Sequence, residues 1–287
     1  MNGYTVSVNG VALTNGFLEK FNKRREDNQV KQEHIVSINP ALCIGCGLCV
    51  GDCPVHVIRM DGKTAVISTQ DCLKCGHCQA ICPQGAVSLS GYADEPETIT
   101  PAMRVDPDAL LGQIKARRSV RQFSEREIPQ ETIQKILDAG RYTPTGTNKQ
   151  GTSYAVLQKN IAEYEAIGVA LFRKIKRVLD PVYAVARGIV VHDHFLFRNA
   201  KAVIVIKGAD AVDASLAASS MELMAQSLGL GVFYSGFFTM ISRISGKLKK
   251  RLGVRRGEKV VTTLVLGYPA VRYQRTAQRE SAEVLFD

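Results

Sequence analysis

The stretch Cys43-Ile-Gly-Cys46-Gly-Leu-Cys49-Val-Gly-Asp-Cys53-Pro54 returns 29 residues later as Cys72-Leu-Lys-Cys75-Gly-His-Cys78-Gln-Ala-Ile-Cys82-Pro83. Each run spaces its cysteines as x2, x2, x3 and ends on proline, and together they use all eight cysteines of the chain. Short gaps let three thiolates of one loop converge on one group, and the proline turns the chain away after the fourth. Disulfides would need an oxidising compartment, and residues 1–33 are polar, without the apolar core of an export signal. Zinc sites use paired CxxC units, and a redox CxxC needs only two cysteines. Three cysteines in a row plus a fourth before proline, twice over, point to iron–sulfur ligation.

The double run is that of bacterial ferredoxins with two 4Fe–4S clusters, in which the fourth cysteine of each run ligates the other cluster. That resemblance implies one cluster on Cys43, Cys46, Cys49 and Cys82, and a second on Cys72, Cys75, Cys78 and Cys53. The surroundings repeat at the same offset: Ile38 with Ile67, Pro54 with Pro83, Ile58 with Val87, Met60 with Leu89. A pseudo-twofold module of short hairpin strands is expected over residues 34–91. His34, His56 and His77 lie in it, but with every ligand position filled by cysteine they are not taken as ligands.

The chain has 287 residues, 45% hydrophobic and 22% charged, enough for two ordinary globular domains. No run of about 18 apolar residues is present, so no membrane span is expected and the expected compartment is the cytoplasm. Net charge is +10, from 37 basic and 27 acidic residues. Thiolates on clusters would lower it, and the excess is read as suiting an anionic cofactor or an acidic redox partner rather than nucleic acid.

Residues 1–33 form an arm of unassigned role. Residues 92–105, rich in proline and acidic side chains, read as a linker. A second domain is expected over 106–287. Asp106-Pro107 looks like an N-cap with proline in the first turn of a helix whose apolar stripe is Leu110, Leu111 and Ile114. A second helix is expected from Pro129 to about Ala139, with Ile133, Ile136 and Leu137 inward and Gly140 near its end. Ala202–Ile206 and Val260–Leu266 are buried-strand candidates, with a helix from about Ala211 to Leu228 between them. The fold class is α+β, with helices flanking a mixed sheet.

Arg117-Arg118-Ser119-Val120-Arg121-Gln122-Phe123 follows the first of these helices. In extended chain Arg117, Ser119 and Arg121 share a face, and guanidinium groups beside a hydroxyl suit a phosphate or a ring carbonyl. Pro144-Thr145-Gly146-Thr147-Asn148-Lys149-Gln150 is a turn-rich loop whose backbone and amide groups suit the edge of a planar heterocycle. Gly229-Leu230-Gly231-Val-Phe-Tyr234-Ser235-Gly236-Phe237 and Leu266-Gly267-Tyr268-Pro269-Ala270 follow, with Arg272, Arg275 and Arg279 in the tail.

In this order the segments resemble the nitroreductase family of flavin enzymes, from about Asp106 to the C-terminus, and the whole resembles a ferredoxin–nitroreductase fusion. The resemblance implies FMN at a homodimer interface. Arg117, Arg118, Ser119 and Arg121 would hold phosphate, ribityl chain and ring edge. Pro144, Thr145, Gly146 and Asn148 would line the flavin from the partner chain. Ser235 and Gly236 would lie near flavin N5, and Arg275 or Arg279 would reach the phosphate. The family loop often continues Pro-Trp where this chain has Gly151-Thr152, and many members are acidic where Ser235 stands, which leaves substrate class and direct nicotinamide use open.

The expected activity is an iron–sulfur flavoprotein oxidoreductase acting on a small oxidised acceptor such as a nitroaromatic, a quinone or an activated double bond. Its donor is an external ferredoxin, an oxidoreductase partner or NAD(P)H, and no protein nucleophile is expected. Two alternatives stand beside it: an electron-transfer flavoprotein serving a protein partner, and a specialised reaction such as reductive dehalogenation or flavin modification. His192 and His194 are read as structural, Lys247–Arg256 as a solvated helix face, and Leu171–Val191 as a segment that covers the substrate pocket.

Overall fold

The computed structural model describes residues 34–69, 71–180 and 188–287, plus a short strand pair, β1 (Ser7–Val8) and β2 (Val11–Ala12). The rest of the arm expected over residues 1–33 lies outside the described residues. The chain divides into two units, Met1–Thr98 and Ile99–Asp287.

The first unit is built from very short elements: β3 (Val36–Ile38), α1 (Leu48–Gly51), β4 (Ile58–Asp61), β5 (Thr64–Ile67), α2 (His77–Ala80) and β6 (Val87–Leu89). β4 and β5 form an antiparallel hairpin turning at Gly62, while β3 pairs antiparallel with β6, Val36 opposite Leu89. Displaced by 29 residues, α1 falls on α2 and β4 on β6, as the sequence repeat requires. Backbone conformation repeats too. Left-handed residues pair at the same offset: Gly45 with Lys74, Gly47 with Gly76, His56 with Gly85. At Gly45 a Cβ would also stand 2.4 Å from the Lys63 carbonyl oxygen, so only glycine fits there. Two of the three histidines have other partners: His34 stacks on Tyr92, and His77 Nδ1 lies 3.3 Å from Asp52.

The second unit runs α3 (Pro107–Ala116), α4 (Gln130–Arg141), β7 (Ser153–Leu157), α5 (Ile161–Leu179), β8 (Ala202–Gly208), α6 (Ala211–Ser227), β9 (Gly231–Tyr234), α7 (Gly236–Ile244), α8 (Gly246–Arg251) and β10 (Lys259–Gly267). Its sheet has the order β7-β8-β10-β9. These ladders are antiparallel, and parallel pairing enters only through the bridge Ser119–Val232 among the described residues. The unbroken apolar run of β8 has a simple cause: both faces are covered. Ala202, Ile204 and Ile206 join a core that includes Ile133 and Ile136 of α4 and Ala214, Ala218 and Met221 of α6. Val203 and Val205 face a second core with Val169 and Phe172 of α5, Phe238 and Ile241 of α7, and Leu248 of α8. Alternation along one strand thus feeds two helical layers.

Gly140 lies in the last turn of its helix, near the end as expected, where a Cβ would meet Tyr154 Oη at 2.7 Å and Met221 Sδ at 2.8 Å; it is there for close packing. In α3 the cap is as expected, Asp106 accepting from Ala109 N at 2.7 Å, but Leu110, Leu111 and Ile114 are exposed on this chain.

Candidate functional site

In the first unit the eight cysteines sort themselves into two cavities. One is lined by Cys43, Cys46, Cys49 and Cys82, the other by Cys72, Cys75, Cys78 and Cys53. Each takes three thiols from one run and the fourth from the other. All eight are free thiols. Among the described residues no group of His, Cys, Asp or Glu side chains converges tightly enough for a single metal ion. Quartets that surround a cavity without meeting at a point match a cuboidal cluster and not a tetrahedral zinc. Backbone N–H groups aim at the sulfurs: Ala65 N to Cys43 at 3.5 Å, Lys74 N to Cys72 at 3.2 Å, Ala86 N to Cys82 at 3.3 Å. At Cys82 burial opposes ionisation, yet N–H groups from Gln84, Ala86, Val87 and Gly85 together hold the thiol below its usual pKa. Burial instead pushes Cys78 up to about 11, a penalty that metal coordination overrides by deprotonating the thiol outright.

In the second unit, the Arg117–Phe123 segment is sewn between two strands. Val120 N donates to Val232 O at 3.0 Å, Ser124 N to Tyr268 O at 2.8 Å, and Ala270 N to Gln122 O at 3.0 Å. Two glycines make room for it. A Cβ on Gly231 would lie 2.7 Å from Val120, and one on Gly267 would lie 2.6 Å from Phe123. With Val120 buried between the strands, Arg117, Arg118, Ser119 and Arg121 all reach one cavity of about 690 Å³. The tail brings Arg279 and Tyr273 to the same cavity. Arg275 is not among its lining residues and touches the segment through its carbonyl, 3.5 Å from Arg118 Nη2. Five cationic side chains, Lys115 and the four arginines 117, 118, 121 and 279, face a single carboxylate, Glu222.

Glu222 is a site residue outside every motif, and Tyr234 lies within one but was given no role there. The Glu222 carboxylate, buried on α6, accepts from Arg117 Nη1 at 2.9 Å, Tyr234 Oη at 3.0 Å and Gln226 Nε2 at 3.3 Å. Burial first, and the Glu222 charge second, raise the Tyr234 phenol pKa, so Tyr234 stays a neutral donor. Arg117 is therefore clamped, with Nη1 bound to Glu222 and Nε buried without an acceptor. An orphaned guanidinium N–H in a cationic cavity fits an anionic ligand that supplies the missing acceptor.

A second cavity of about 490 Å³ shares Arg121 and Tyr234 with the first and includes Ser235 and Gly236. Ser235 has its own groups engaged: its N–H donates to Thr263 O at 2.9 Å and its Oγ to Leu196 O at 2.9 Å. Gly236 opens α7, so its N–H has no intrahelical acceptor and is the one available to a ligand.

The predicted loop Pro144, Thr145, Gly146, Asn148 is placed elsewhere. Its anchor is Asp213, whose buried carboxylate accepts from Gly146 N at 3.0 Å. Asp213 and Glu222 share α6, and their spacing puts them roughly 13 Å apart along the axis, on opposite faces. One chain therefore does not bring this loop to the arginine cavity. His192 and His194 serve structural contacts, to Arg198 Nη1 at 2.8 Å and to Glu165 at 3.5 Å. In Lys247–Arg256, Arg251 pairs with Glu163 and Arg255 with Glu258.

Comparison with known proteins gives the same two-part picture. Residues 114–268 match the family model for the nitroreductase family, and residues 35–83 match the model for a 4Fe–4S dicluster domain. A protein of Methanothermobacter thermautotrophicus, provisionally named an NADH dehydrogenase/NAD(P)H nitroreductase, is 30% identical over 166 residues, covering 56% of this chain and 78% of its own. An NADPH-dependent oxidoreductase of Staphylococcus haemolyticus is 24% identical over 147 residues, covering 45% of this chain and 53% of its own. Among solved structures, a nitroreductase with bound FMN from Bacteroides fragilis aligns with 62% of this chain and 98% of its own at TM-score 0.51 and 20% identity. At that identity it shows the fold. Among the described residues no helix is long and apolar enough to cross a membrane.

Proposed function

The chain belongs to the nitroreductase family and carries a 4Fe–4S dicluster domain, and from that premise we propose that it is an iron–sulfur flavoprotein oxidoreductase reducing a small organic acceptor. One observation carries the reading. Arg117, Arg118, Ser119, Arg121 and the distant Arg279 line a single cavity in which a buried Arg117 N–H lacks an acceptor. When bound, the two clusters supply single-electron steps and FMN gathers two electrons for the acceptor.

The chain's own residues do the following. Arg279 and Arg118 meet the phosphate, and Ser119 and Arg117 hold the chain and ring edge through charge-assisted donors. Glu222 keeps Arg117 and Tyr234 in place before any ligand arrives, so little ordering remains to be done on binding. Gly236 presents a backbone N–H toward N5. The eight thiolates fix the clusters, with Cys53 and Cys82 tying each half of the repeat to the other's cluster.

A homodimer completes the cradle in this reading. The Gly146 loop and the arginine segment stand apart on one chain, and Leu110, Leu111 and Ile114 leave an apolar stripe uncovered. A second copy supplies the missing loop. We take residues 92–105 as the linker and the cytoplasm as the compartment. The donor is a ferredoxin, an oxidoreductase partner or NAD(P)H.

Anaerobic dithionite titration tests this. It should consume two one-electron equivalents for clusters and one two-electron equivalent for flavin per chain. Nitroaromatics and quinones should then speed reoxidation of the flavin. No acceleration by any of them, or no flavin after reconstitution, defeats the proposal.

A further inference from the structure

The second cavity has a composition that the flavin does not explain. Phe195, Phe233, Tyr234 and Phe237 give it an aromatic lining, and two guanidinium groups, Arg121 and Arg198, give it its charge; among the described residues no carboxylate lines it. Arg121 sits 5.9 Å over the Phe233 ring and belongs to the flavin segment. Arg198 does not. It lies far in sequence from every motif of the family resemblance, and among the described residues it has no acidic partner.

Arg198 is held with unusual care. It and Asn199 both adopt left-handed backbone, φ 55° and 59°, a conformation that side-chain-bearing residues disfavour. The turn keeps that shape because it is fastened from several sides. Glu165, a buried carboxylate on α5, accepts from Leu196 N at 2.9 Å and Phe197 N at 2.6 Å. Ser235 Oγ donates to Leu196 O at 2.9 Å, and Arg198 N donates to His194 O at 2.9 Å. The guanidinium is fixed as well, with Nη1 on His192 Nε2 at 2.8 Å and the plane 5.2 Å from the Phe195 ring. These contacts occupy one edge of the fork and leave its other N–H groups for a ligand.

We propose that this pocket selects planar organic acceptors bearing an anionic substituent, a carboxylate foremost, with Arg198 as the anion-binding residue. The inference rests on the oxidoreductase reading, which puts flavin against Arg121 and Gly236. It adds the substrate class. Aromatic walls hold a planar ring, and a preorganised, half-buried guanidinium without a counter-ion favours a carboxylate over its neutral amide. Such a pair differs by roughly ten- to a hundredfold in affinity when one charged hydrogen-bonded contact decides it.

Two readings on flavin-loaded protein test it. Equilibrium binding of the unreactive pair benzoate and benzamide, followed by flavin absorbance, should favour benzoate at least tenfold. Reduction of 4-nitrobenzoate and 4-nitrobenzamide by the dithionite-reduced protein should show the same preference in kcat/KM. There each nitro group takes two electrons and two protons to give nitroso and water. Arg198→Gln should bring both ratios close to one, and Arg198→Lys should restore part of them. Equal binding of benzoate and benzamide by the unaltered protein, or a ratio that survives Arg198→Gln, overturns the inference. Should that variant not fold, the wild-type ratio in rising salt decides: it falls if charge sets it, and a salt-independent ratio overturns the inference. Failure of the oxidoreductase reading looks different, because then neither nitro compound is reduced while the binding ratio still reports on the pocket.

Discussion

Gly231→Ala should loosen the flavin segment without touching a single ligand-binding atom. Gly231 is buried and has no positive φ, so alanine is acceptable to the backbone and the effect is steric alone. The new methyl would stand 2.7 Å from Val120 Cβ and Cγ1 and 2.8 Å from Cγ2. Ordinary carbon contact needs about 3.5 Å, so strand and segment must part by roughly 0.8 Å. Overpacking of this kind costs about 1–3 kcal/mol, and the stiffer unfolded chain returns about 0.4–1 kcal/mol. A net loss of about 1–2 kcal/mol follows, or a Tm drop of roughly 2–8 °C for a domain this size. The same displacement misaligns Arg118, Ser119 and Arg121, and losing one aligned charged contact weakens FMN binding about tenfold or more. Thermal melts and a flavin fluorescence titration measure the two effects. Adding Val120→Ala removes two of the three close contacts and should recover part of both. Unchanged FMN affinity in a destabilised Gly231→Ala protein would refute the claim that Val120 sets the segment's position.

The crossed ligation predicts a pattern of iron loss. Cys43→Ser with Cys82→Ser should lose no more iron than either alone, because both ligate one cluster, whereas Cys72→Ser with Cys82→Ser should lose nearly all; iron and sulfide analysis decides. On the proposed reading, in which Arg279 meets the phosphate, Arg279→Ala should weaken FMN about tenfold while leaving riboflavin affinity unchanged. Burial raises the Glu165 pKa above 4.5 despite the N–H groups of Phe197 and Leu196 and the nearby His194. A carboxyl raised on folding stabilises below its unfolded pKa and loses that contribution as pH rises through the folded value. Denaturation of Glu165→Gln should therefore show less loss of stability above pH 4.5 than the unaltered protein; a parallel pair of pH curves counts against this.

Legibility in the sequence followed how local each signal is. The two cysteine runs depend on spacings of two and three residues, and the helix cap at Asp106 on its immediate neighbours, so both could be read directly; the crossing of the fourth cysteines came from the resemblance to ferredoxins. β8 was readable because a strand buried on both faces has no polar alternation to interrupt it. Gly140 was placed near its helix end, but its packing role was not legible, because a glycine there looks the same whether it ends the helix or admits Tyr154 and Met221. Glu222 was invisible for a different reason. It lies in an alanine- and serine-rich helix with no motif around it, and only the fold brings it to Arg117, 105 residues away. Arg198 is hidden in the same way: its significance lies in backbone strain and in an absent counter-ion, which spacing cannot report. The choice between Arg275 and Arg279 needed the path of a tail that has no regular structure.

The left-handed positions of the first unit bear on what holds that unit together. In each of the pairs 45/74 and 56/85 one member is glycine and the other, Lys74 or His56, carries a side chain at the same φ. Glycine's freedom is therefore not what selects the conformation, since residues that disfavour it adopt it at the equivalent place. Packing is a weak candidate for the cause. The buried set is Val36, Val57, Ile58, Ala65 and Val87 with Cys49 and Cys53, and its strands are three or four residues long. A core that small does not by itself offset the ordering of about 60 residues. What remains is ligation: each strained residue lies within three positions of a cluster cysteine, which would pin the loop beside it. The free energy of cluster binding is then free energy of folding for this unit. The second unit, with two helical layers on a fully covered sheet, has no such dependence. Removing iron should therefore unfold the cysteine module and leave the flavin domain's melting transition in place.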